Sequence, residues 1–263
     1  MNQSERRIYL IEELLKEYEN EENIKLPQEV KVPINSNEQR KMLRSLMNVR
    51  MAKNINEDFL KEQDKYLAYE LEKKGIVTLE EMEEVQRDMY IWKGDITRLK
   101  VGAIVNAANS KMTGCYVPCH NCIDNCIHTF AGIQLRLECD KIMKKQGYDE
   151  PTGGAKITPA YNLPCDYVIH TVGPIVQGRL NSNHEKLLED CYRNCLRVAE
   201  EKGIKSIAFC CISTGVFMFP NERAAQIAVA TVKKYKDNNN SQIKVIFNVF
   251  KDEDEEIYRK ILG

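Results

Sequence analysis

Five short apolar runs dominate the sequence from residue 89 onward, and they constrain the fold more than any other feature. They are YIWK, AIVNAA, YVIHTV, SIAFCCIS and KVIFNVF. Apolar runs of this length, bounded by polar segments, are typical of strands buried on both faces of a sheet. The segments between them are long enough for helices, as at residues 184–202 and 222–236. This alternation predicts an α/β fold with three αβα layers.

The first 88 residues have a different character, with helical spacing and many charges. The first predicted helix carries apolar residues at steps of three and four: Ile8, Ile11, Leu14, Leu15 and Tyr18. SNEQ at 36–39 and TLEE at 78–81 have the form of a capping box, which marks helix starts, and Pro27 and Pro33 bracket a loop. We predict a helical N-terminal extension over 1–88, packed as a cap on a main domain over 89–263.

Charge and cysteine placement limit the possible partners and environment. The net charge is -1, which argues against bulk capture of nucleic acid or of an acidic membrane. The first residues lack a signal peptide, and no segment has the length to cross a bilayer. All ten cysteines lie between Cys115 and Cys211, which favours reduced thiols over a disulfide framework. We predict a cytoplasmic protein that holds any anionic ligand locally.

Two loops follow predicted strands at positions where α/β sheets commonly bind ligands. In residues 94–109, Asn106 and Asn109 end a strand, where an amide side chain either fixes sugar hydroxyls or caps a turn. In residues 211–220, the small residues after Cys211 would let backbone N–H groups converge on a diphosphate. An ordinary strand-to-helix turn explains that loop equally well.

The stretch GCYVPCHNCIDNCIH at 114–128 is the densest group of metal-binding side chains. Its cysteines are spaced four, three and four, which also fits a buried helical stripe. Gly114 and Pro118 argue against a helix through the first half, so we predict a loop followed by a helix beginning between Asn121 and Asp124. Thiolates and an imidazole in one loop indicate zinc.

Two ligand sets remain open for this loop. Cys119 and Cys122 form a CxxC pair, whereas Cys115, His120 and Cys122 form a wider set of three. Three protein ligands leave the fourth position to water or substrate, and four close the ion off as structural. The number of ligands therefore separates an enzyme from a scaffold.

Four motifs occur in order along the chain: GDIT at 94–97, AIVNAAN at 103–109, CIDNCIHTFAG at 122–132 and ISTGVF at 212–217. Together they resemble the macrodomain family, and more narrowly its zinc-containing branch of microbial protein-ADP-ribose hydrolases. The resemblance implies a three-layer αβα fold with a mixed central sheet over residues 89–263. The better-known macrodomains have a glycine run where this chain has GCYVPCHNC, while Asp124 and the pair Ile127 and His128 remain.

The resemblance also implies the ADP-ribose contacts. The adenine would be held by Asp95 and the backbone of Ile96. The distal ribose would be held by Asn109, beside a backbone wall of Ala107 and Ala108, with Phe219 nearby. The diphosphate would be wrapped by Ser213, Thr214, Gly215, Val216 and Phe217. The zinc ligands would be Cys115, His120 and Cys122, leaving Cys119 as an extra thiol.

The function implied by the resemblance is zinc-dependent removal of mono-ADP-ribose from modified protein side chains, with ester-linked acidic residues as the attachment sites. Asn109 and Asp124 would serve catalysis, although Asp124 also suits a helix cap. The implied partners are a sirtuin-like ADP-ribosyltransferase and a lipoyl-carrier protein substrate. The alternatives are a non-catalytic ADP-ribose-binding module with a structural zinc and an O-acetyl-ADP-ribose deacetylase. We interpret His170, within an apolar run, as a core or loop residue.

Overall fold

The computed structural model describes residues 1–19 and 30–263, so the predicted loop at Pro27 lies outside the described residues. The helices are α1 (Gln3–Glu19), α2 (Ser36–Val49), α3 (Glu57–Lys74), α4 (Ile123–Ala131), α5 (Ile133–Gln146), α6 (Ser182–Glu201), α7 (Asn221–Asn239) and α8 (Asp252–Leu262). The strands are β1 (Val77–Thr78), β2 (Glu83–Gln86), β3 (Met89–Lys93), β4 (Leu99–Lys100), β5 (Ala103–Ala108), β6 (Ala155–Pro159), β7 (Tyr167–Val172), β8 (Ser206–Phe209) and β9 (Lys244–Val249).

A mixed seven-stranded sheet lies at the centre of the main domain, in the strand order β2-β3-β9-β8-β5-β7-β6. The five inner strands are parallel, whereas β2 and β6 are antiparallel to their neighbours at the two edges. Each inner strand corresponds to one of the five apolar runs. The predicted αβα fold is therefore confirmed, including the mixed sheet.

Two groups of helices cover the sheet. α6, α7 and α8 pack against one another in one layer, and α4 and α5 form the other. α6 shows why the sequence folds this way, because Leu188, Cys191, Cys195 and Ala199 recur at helical spacing and are all buried. Cys139, Cys165 and Cys210 are buried as well, so these three free cysteines are core residues.

The N-terminal extension has its own apolar core between α1, α2 and α3. The buried residues are Leu10, Ile11, Leu14, Leu15, Leu43, Met47, Phe59, Tyr66 and Leu67, together with Ile133 from α5. α2 begins at Ser36, and Asn35 caps it by accepting from the N–H groups of Asn37 and Glu38. Helix α2 packs on α4, so the extension contacts the helix that follows the cysteine-rich loop.

The end of the extension differs from the sequence prediction. Thr78 and Glu81 do form a capping box, but it encloses only a single 3₁₀ turn, Leu79–Glu81. The chain then enters β2, whose pairing with β3 satisfies the backbone and ends the helical conformation. The main sheet thus begins before residue 89, and the domain boundary at 88 stays a prediction. No helix of residues 1–19 or 30–263 is long and apolar enough to span a membrane.

Candidate active site

The carboxyl ends of the parallel strands place the predicted ligand loops at one edge of the sheet. Because β3, β9, β8, β5 and β7 all run in the same direction, the loops after them emerge on the same side. The loop after β3 carries Asp95, the loop after β5 carries Asn109, and the loop after β8 carries residues 213–217. The ligand loops predicted from the sequence therefore lie along one edge of the sheet, and we call the surface between them the cleft.

Asp95 lies at the β3 end of this cleft with its carboxylate partly engaged. Its Oδ1 accepts from the Thr97 N–H at 3.0 Å and from the Thr97 hydroxyl at 2.6 Å. Lys74 Nζ, from the last turn of α3, lies 3.4 Å from Oδ2 and 3.1 Å from the centroid of the Phe130 ring. Burial lowers the pKa of Lys74, and the Asp95 carboxylate offsets part of that effect. Ile96 is 1% exposed, and its side chain belongs to the main core.

Asn109 lies at the end of β5, fixed by three contacts. Its Oδ1 accepts from the Lys111 N–H at 3.0 Å, and its Nδ2 donates to the Gly114 carbonyl at 3.1 Å. The same Nδ2 lies 3.4 Å from Asp124 Oδ2. Ala107 and Ala108 form the last two residues of β5 beside it. The structure thus brings Asn109, Asp124 and the start of the cysteine-rich loop together.

Asp124 is a buried carboxylate behind Asn109. Burial raises its pKa to about 6, against the lowering effects of a hydrogen bond from Asn106 and of the Arg136 charge. Asn106 Nδ2 donates to Asp124 Oδ1 at 2.8 Å. Asp124 is not the cap of α4, because that position is Cys122, whose Sγ accepts from the Asn125 N–H at 3.4 Å. The predicted start of this helix is confirmed.

The Asn106 side chain connects Asp124 to the core. Asn106 Nδ2 lies 3.1 Å from His170 Nδ1, and His170 Nε2 lies 3.0 Å from the Thr158 hydroxyl. His170 is fully buried, which confirms its interpretation as a core residue. His170, Cys139 and His128 form a second group of possible metal ligands. Because both His170 nitrogens already have hydrogen-bonding partners, we interpret this group as part of the core.

The loop after β8 has the geometry of an anion-binding turn. Among the described residues, the N–H groups of Gly215, Val216 and Phe217 donate to no protein acceptor. Ser213 holds the left-handed conformation, with φ 65°, and Thr214 Oγ1 donates to the Cys211 carbonyl at 3.0 Å. Successive free N–H groups in such a turn form a concave site for anions.

Phe217 and Phe219 occupy different environments. The Phe217 carbonyl accepts from the Val176 N–H at 2.9 Å, which joins the loop after β8 to the segment after β7. The Phe219 ring is 1% exposed and belongs to the main core. Phe219 thus supports the loop from below, and its predicted place near the distal ribose stays a prediction.

The metal loop, residues 114–122, gathers three of the predicted zinc ligands. The donor atoms of Cys115, His120 and Cys122 all lie within 4.8 Å of one another. Cys115 Sγ is 3.7 Å from His120 Nδ1. Zn–S bonds of about 2.3 Å and Zn–N bonds of about 2.0–2.1 Å place tetrahedral ligand atoms about 3.5–3.8 Å apart. The three side chains therefore fit zinc in donor type and spacing.

Cys119 does not join this group. Its Sγ lies 3.2 Å from Ser45 Oγ and 3.4 Å from the Lys41 carbonyl, both on helix α2. Burial raises the pKa of the Cys122 thiol to about 12. A cation beside that sulfur would offset the burial penalty and favour the thiolate. The donor set of three is thus the one that the fold brings together.

Comparison with known proteins identifies the family. The Macro domain family matches residues 105–228. The protein-ADP-ribose hydrolase of Treponema medium is 55% identical over 267 residues and matches 100% of both chains. That of Staphylococcus aureus strain MRSA252 is 47% identical over 83% of each chain. The crystal structure of a Trypanosoma brucei macrodomain in complex with ADP-ribose is 28% identical, with a TM-score of 0.66, over 84% of this chain and 95% of that one. The fold, the loops at the strand ends and the 55% sequence identity over the full chain all point to one family. The chain belongs to the macrodomain family.

Proposed function

We propose that this protein is a zinc-dependent hydrolase that removes mono-ADP-ribose from modified protein side chains. The observation that carries the proposal is the position of the metal loop. Asn109, the residue predicted to hold the distal ribose, donates to the carbonyl of Gly114, which directly precedes the ligand Cys115. A metal held by this loop would therefore lie at the distal-ribose end of the cleft, where the bond to the carrier protein is broken.

Cys115, His120 and Cys122 would hold the zinc. When bound, zinc supplies Lewis-acid polarisation of an oxygen ligand, and three protein ligands leave one tetrahedral position open. The imidazole would bind in its neutral form and the thiols as thiolates, so binding releases protons. The names of the Treponema and Staphylococcus relatives support a hydrolase that acts on protein-linked ADP-ribose.

The side chains of the cleft would orient the substrate. Asp95 Oδ2 would accept from the adenine amino group, beside the backbone of Ile96. The free N–H groups of residues 215–217 would hold the diphosphate, in the turn that Ser213 and Thr214 shape. Asn109 would hold the distal ribose, and Asp124 would orient the Asn109 amide through the contact between Oδ2 and Nδ2. Fixed donors of this kind hold the scissile bond in one position.

The finer substrate assignment rests on the family resemblance alone. We propose an ester link to an acidic side chain, a lipoyl-carrier protein as the substrate and a sirtuin-like ADP-ribosyltransferase as the opposing enzyme. The cytoplasmic location predicted from the sequence stays a prediction.

The test uses a mono-ADP-ribosylated carrier protein, incubated with the zinc-loaded protein and with protein stripped by a chelator. We expect release of ADP-ribose only by the zinc-loaded protein, and none by Cys122→Ala. Cys115→Ser should lose zinc, and Cys119→Ser should keep it, because only the former residue belongs to the donor set.

Three results would oppose the proposal. Turnover that survives complete zinc removal would defeat the zinc mechanism. Tight ADP-ribose binding without release would indicate a binding module with a structural zinc. Hydrolysis of O-acetyl-ADP-ribose, with no action on the protein conjugate, would indicate the deacetylase.

A further inference from the structure

We propose that Arg44, on helix α2 of the N-terminal extension, is a positioning residue that holds the metal loop ready to bind zinc. The inference rests on the proposed function, because it concerns the same three ligands. It assigns a role to a part of the chain in which the sequence shows no chemistry.

Arg44 contacts both sides of the loop. Its Nη2 donates to the main-chain carbonyl of His120 at 2.6 Å, and it also lies 3.0 Å from Asn125 Oδ1. Asn125 is fully buried, and its Nδ2 donates to the carbonyls of Cys115 at 3.2 Å and Val117 at 3.0 Å. One guanidinium therefore fixes His120 directly and Cys115 through a single buried amide.

A second contact from the same helix face fixes the middle of the loop. Asn48 lies one turn after Arg44, and its Oδ1 accepts from the Cys119 N–H at 2.9 Å. Cys119 has φ 53°, a left-handed conformation that a residue other than glycine adopts at a cost. Asn48 Nδ2 also donates to the Thr129 hydroxyl at 2.9 Å, which ties the helix to α4.

Helix α2 is itself anchored to the main domain at its end. Arg136, on α5, donates to the carbonyls of Met47 at 3.2 Å and Asn48 at 2.7 Å. Its Nε donates to the carbonyl of Thr113 at 2.7 Å, immediately before the metal loop. The loop and the helix that holds it are thus fixed to the same guanidinium, so they keep a constant relative position.

The contacts of Arg44 indicate positioning and not charge attraction. A guanidinium is positive and would disfavour a cation bound nearby, so charge alone predicts tighter zinc binding once it is removed. Its Nε is buried and has no hydrogen-bond partner among the described residues. The hydrogen bonds of Arg44 instead come from Nη2, to the His120 carbonyl and to Asn125 Oδ1. If positioning is the larger effect, removing Arg44 weakens zinc binding, whereas charge alone predicts stronger binding.

The experiment measures the zinc Kd of the full chain by competition with a chromophoric chelator, after the metal has been stripped. We expect Arg44→Met to bind zinc about 10- to 100-fold more weakly, as is common when an outer-shell partner of a metal site is lost. Arg44→Lys, which keeps the positive charge on a shorter side chain without the planar guanidinium, should fall between Arg44→Met and the wild type. Arg40→Met is the matched control, since Arg40 lies one turn earlier on α2 and contacts Glu70, Ser36 and Asn37 instead of the metal loop.

Melting temperatures in excess chelator separate positioning from general stability. Positioning predicts that the stripped Arg44→Met and Arg40→Met proteins melt at similar temperatures, while only Arg44→Met loses stabilisation by added zinc. Equal or tighter zinc binding by Arg44→Met overturns the role of Arg44. If Arg44→Met does not fold, zinc binding by Arg44→Lys that equals the wild type overturns it. A wild-type protein that binds no zinc would instead overturn the proposed function.

Discussion

The substitution Gly173→Ala tests whether the loop after β8 must keep its position to bind the diphosphate. Gly173 directly follows β7, and a Cβ atom there would overlap Ser213 Oγ and lie 2.9 Å from Ile212 Cγ2. Carbon atoms in contact prefer about 3.5–4.0 Å, so the loop has to shift by about 1 Å. The Ser213 hydroxyl is buried and has no hydrogen-bond partner among the described residues. The shift is therefore caused by the steric clash and not by the loss of a hydrogen bond.

The expected cost follows from the hydrogen bonds that the loop offers. A hydrogen bond to a charged group contributes about 1.5–3 kcal/mol, and each 1.4 kcal/mol is about tenfold in affinity. If the shift misaligns one N–H group of residues 215–217, ADP-ribose should bind about 10- to 100-fold more weakly. Isothermal titration calorimetry measures this, and thermal unfolding checks that the variant remains folded.

A double-mutant cycle with Ser213→Gly gives the control. Ser213→Gly removes the nearest clashing atoms, and glycine accepts the left-handed φ of that position without strain. Gly173→Ala should therefore cost clearly less in the Ser213→Gly background than in the wild type. An unchanged affinity of Gly173→Ala, or the same cost in both backgrounds, would refute the steric reasoning.

Two further predictions concern the adenine site and the core. Asp95→Asn should weaken ADP-ribose binding about tenfold or more in calorimetry, because a neutral amide replaces the charged acceptor that faces Lys74 and the adenine amino group. Binding of ribose 5-phosphate should stay unchanged, and equal losses for both ligands would contradict an adenine contact. Burial lowers the pKa of His170 to about 3, so the unfolded chain takes up a proton below about 6.5 that the folded chain does not. His170 should thus contribute a fall of about 2 kcal/mol in the unfolding free energy of the metal-stripped protein between pH 7 and pH 5, measured in urea titrations as the difference between the wild type and His170→Gln. Buried His128, whose pKa is also lowered by burial, adds to the total fall, and Asp124, whose pKa is raised by burial, opposes it.

The inner strands could be predicted because strands buried on both faces have a recognisable local composition. Strands covered on both faces need continuous apolar runs, and all five runs became inner strands. The edge strands were not predicted, because they lack such a run. The sequence of β2 is EEVQ and that of β6 is AKITP, and their side chains lie mostly outside the core. The TLEE motif at 78–81 predicted a helix start for a different reason. The capping box does form at Thr78, but it begins a single turn, which ends where β2 pairs with β3.

The loops at Asn109 and at residues 211–220 could be selected from the sequence because each follows a recognisable strand, whereas the roles of their residues came from the motif resemblance. The donor set of the metal loop was narrowed by Gly114 and Pro118, which exclude a continuous helix, but spacing alone left Cys119 open. What removes Cys119 is its contact with Ser45, 74 positions earlier in the chain. Arg44 and His120 are separated by 76 positions, and no single sequence reveals such a pair.

The extension touches the cleft at both ends, and this changes how its role is understood. Through Arg44 it holds the metal loop, at the end where the distal ribose is expected. Through Lys74, 3.4 Å from Asp95 Oδ2, it contacts the carboxylate expected to read the adenine. A cap that only covered apolar surface would need neither of these polar contacts. The two basic side chains sit where the extension would influence both the nucleotide and the metal, so the helices before the sheet are best regarded as part of the site.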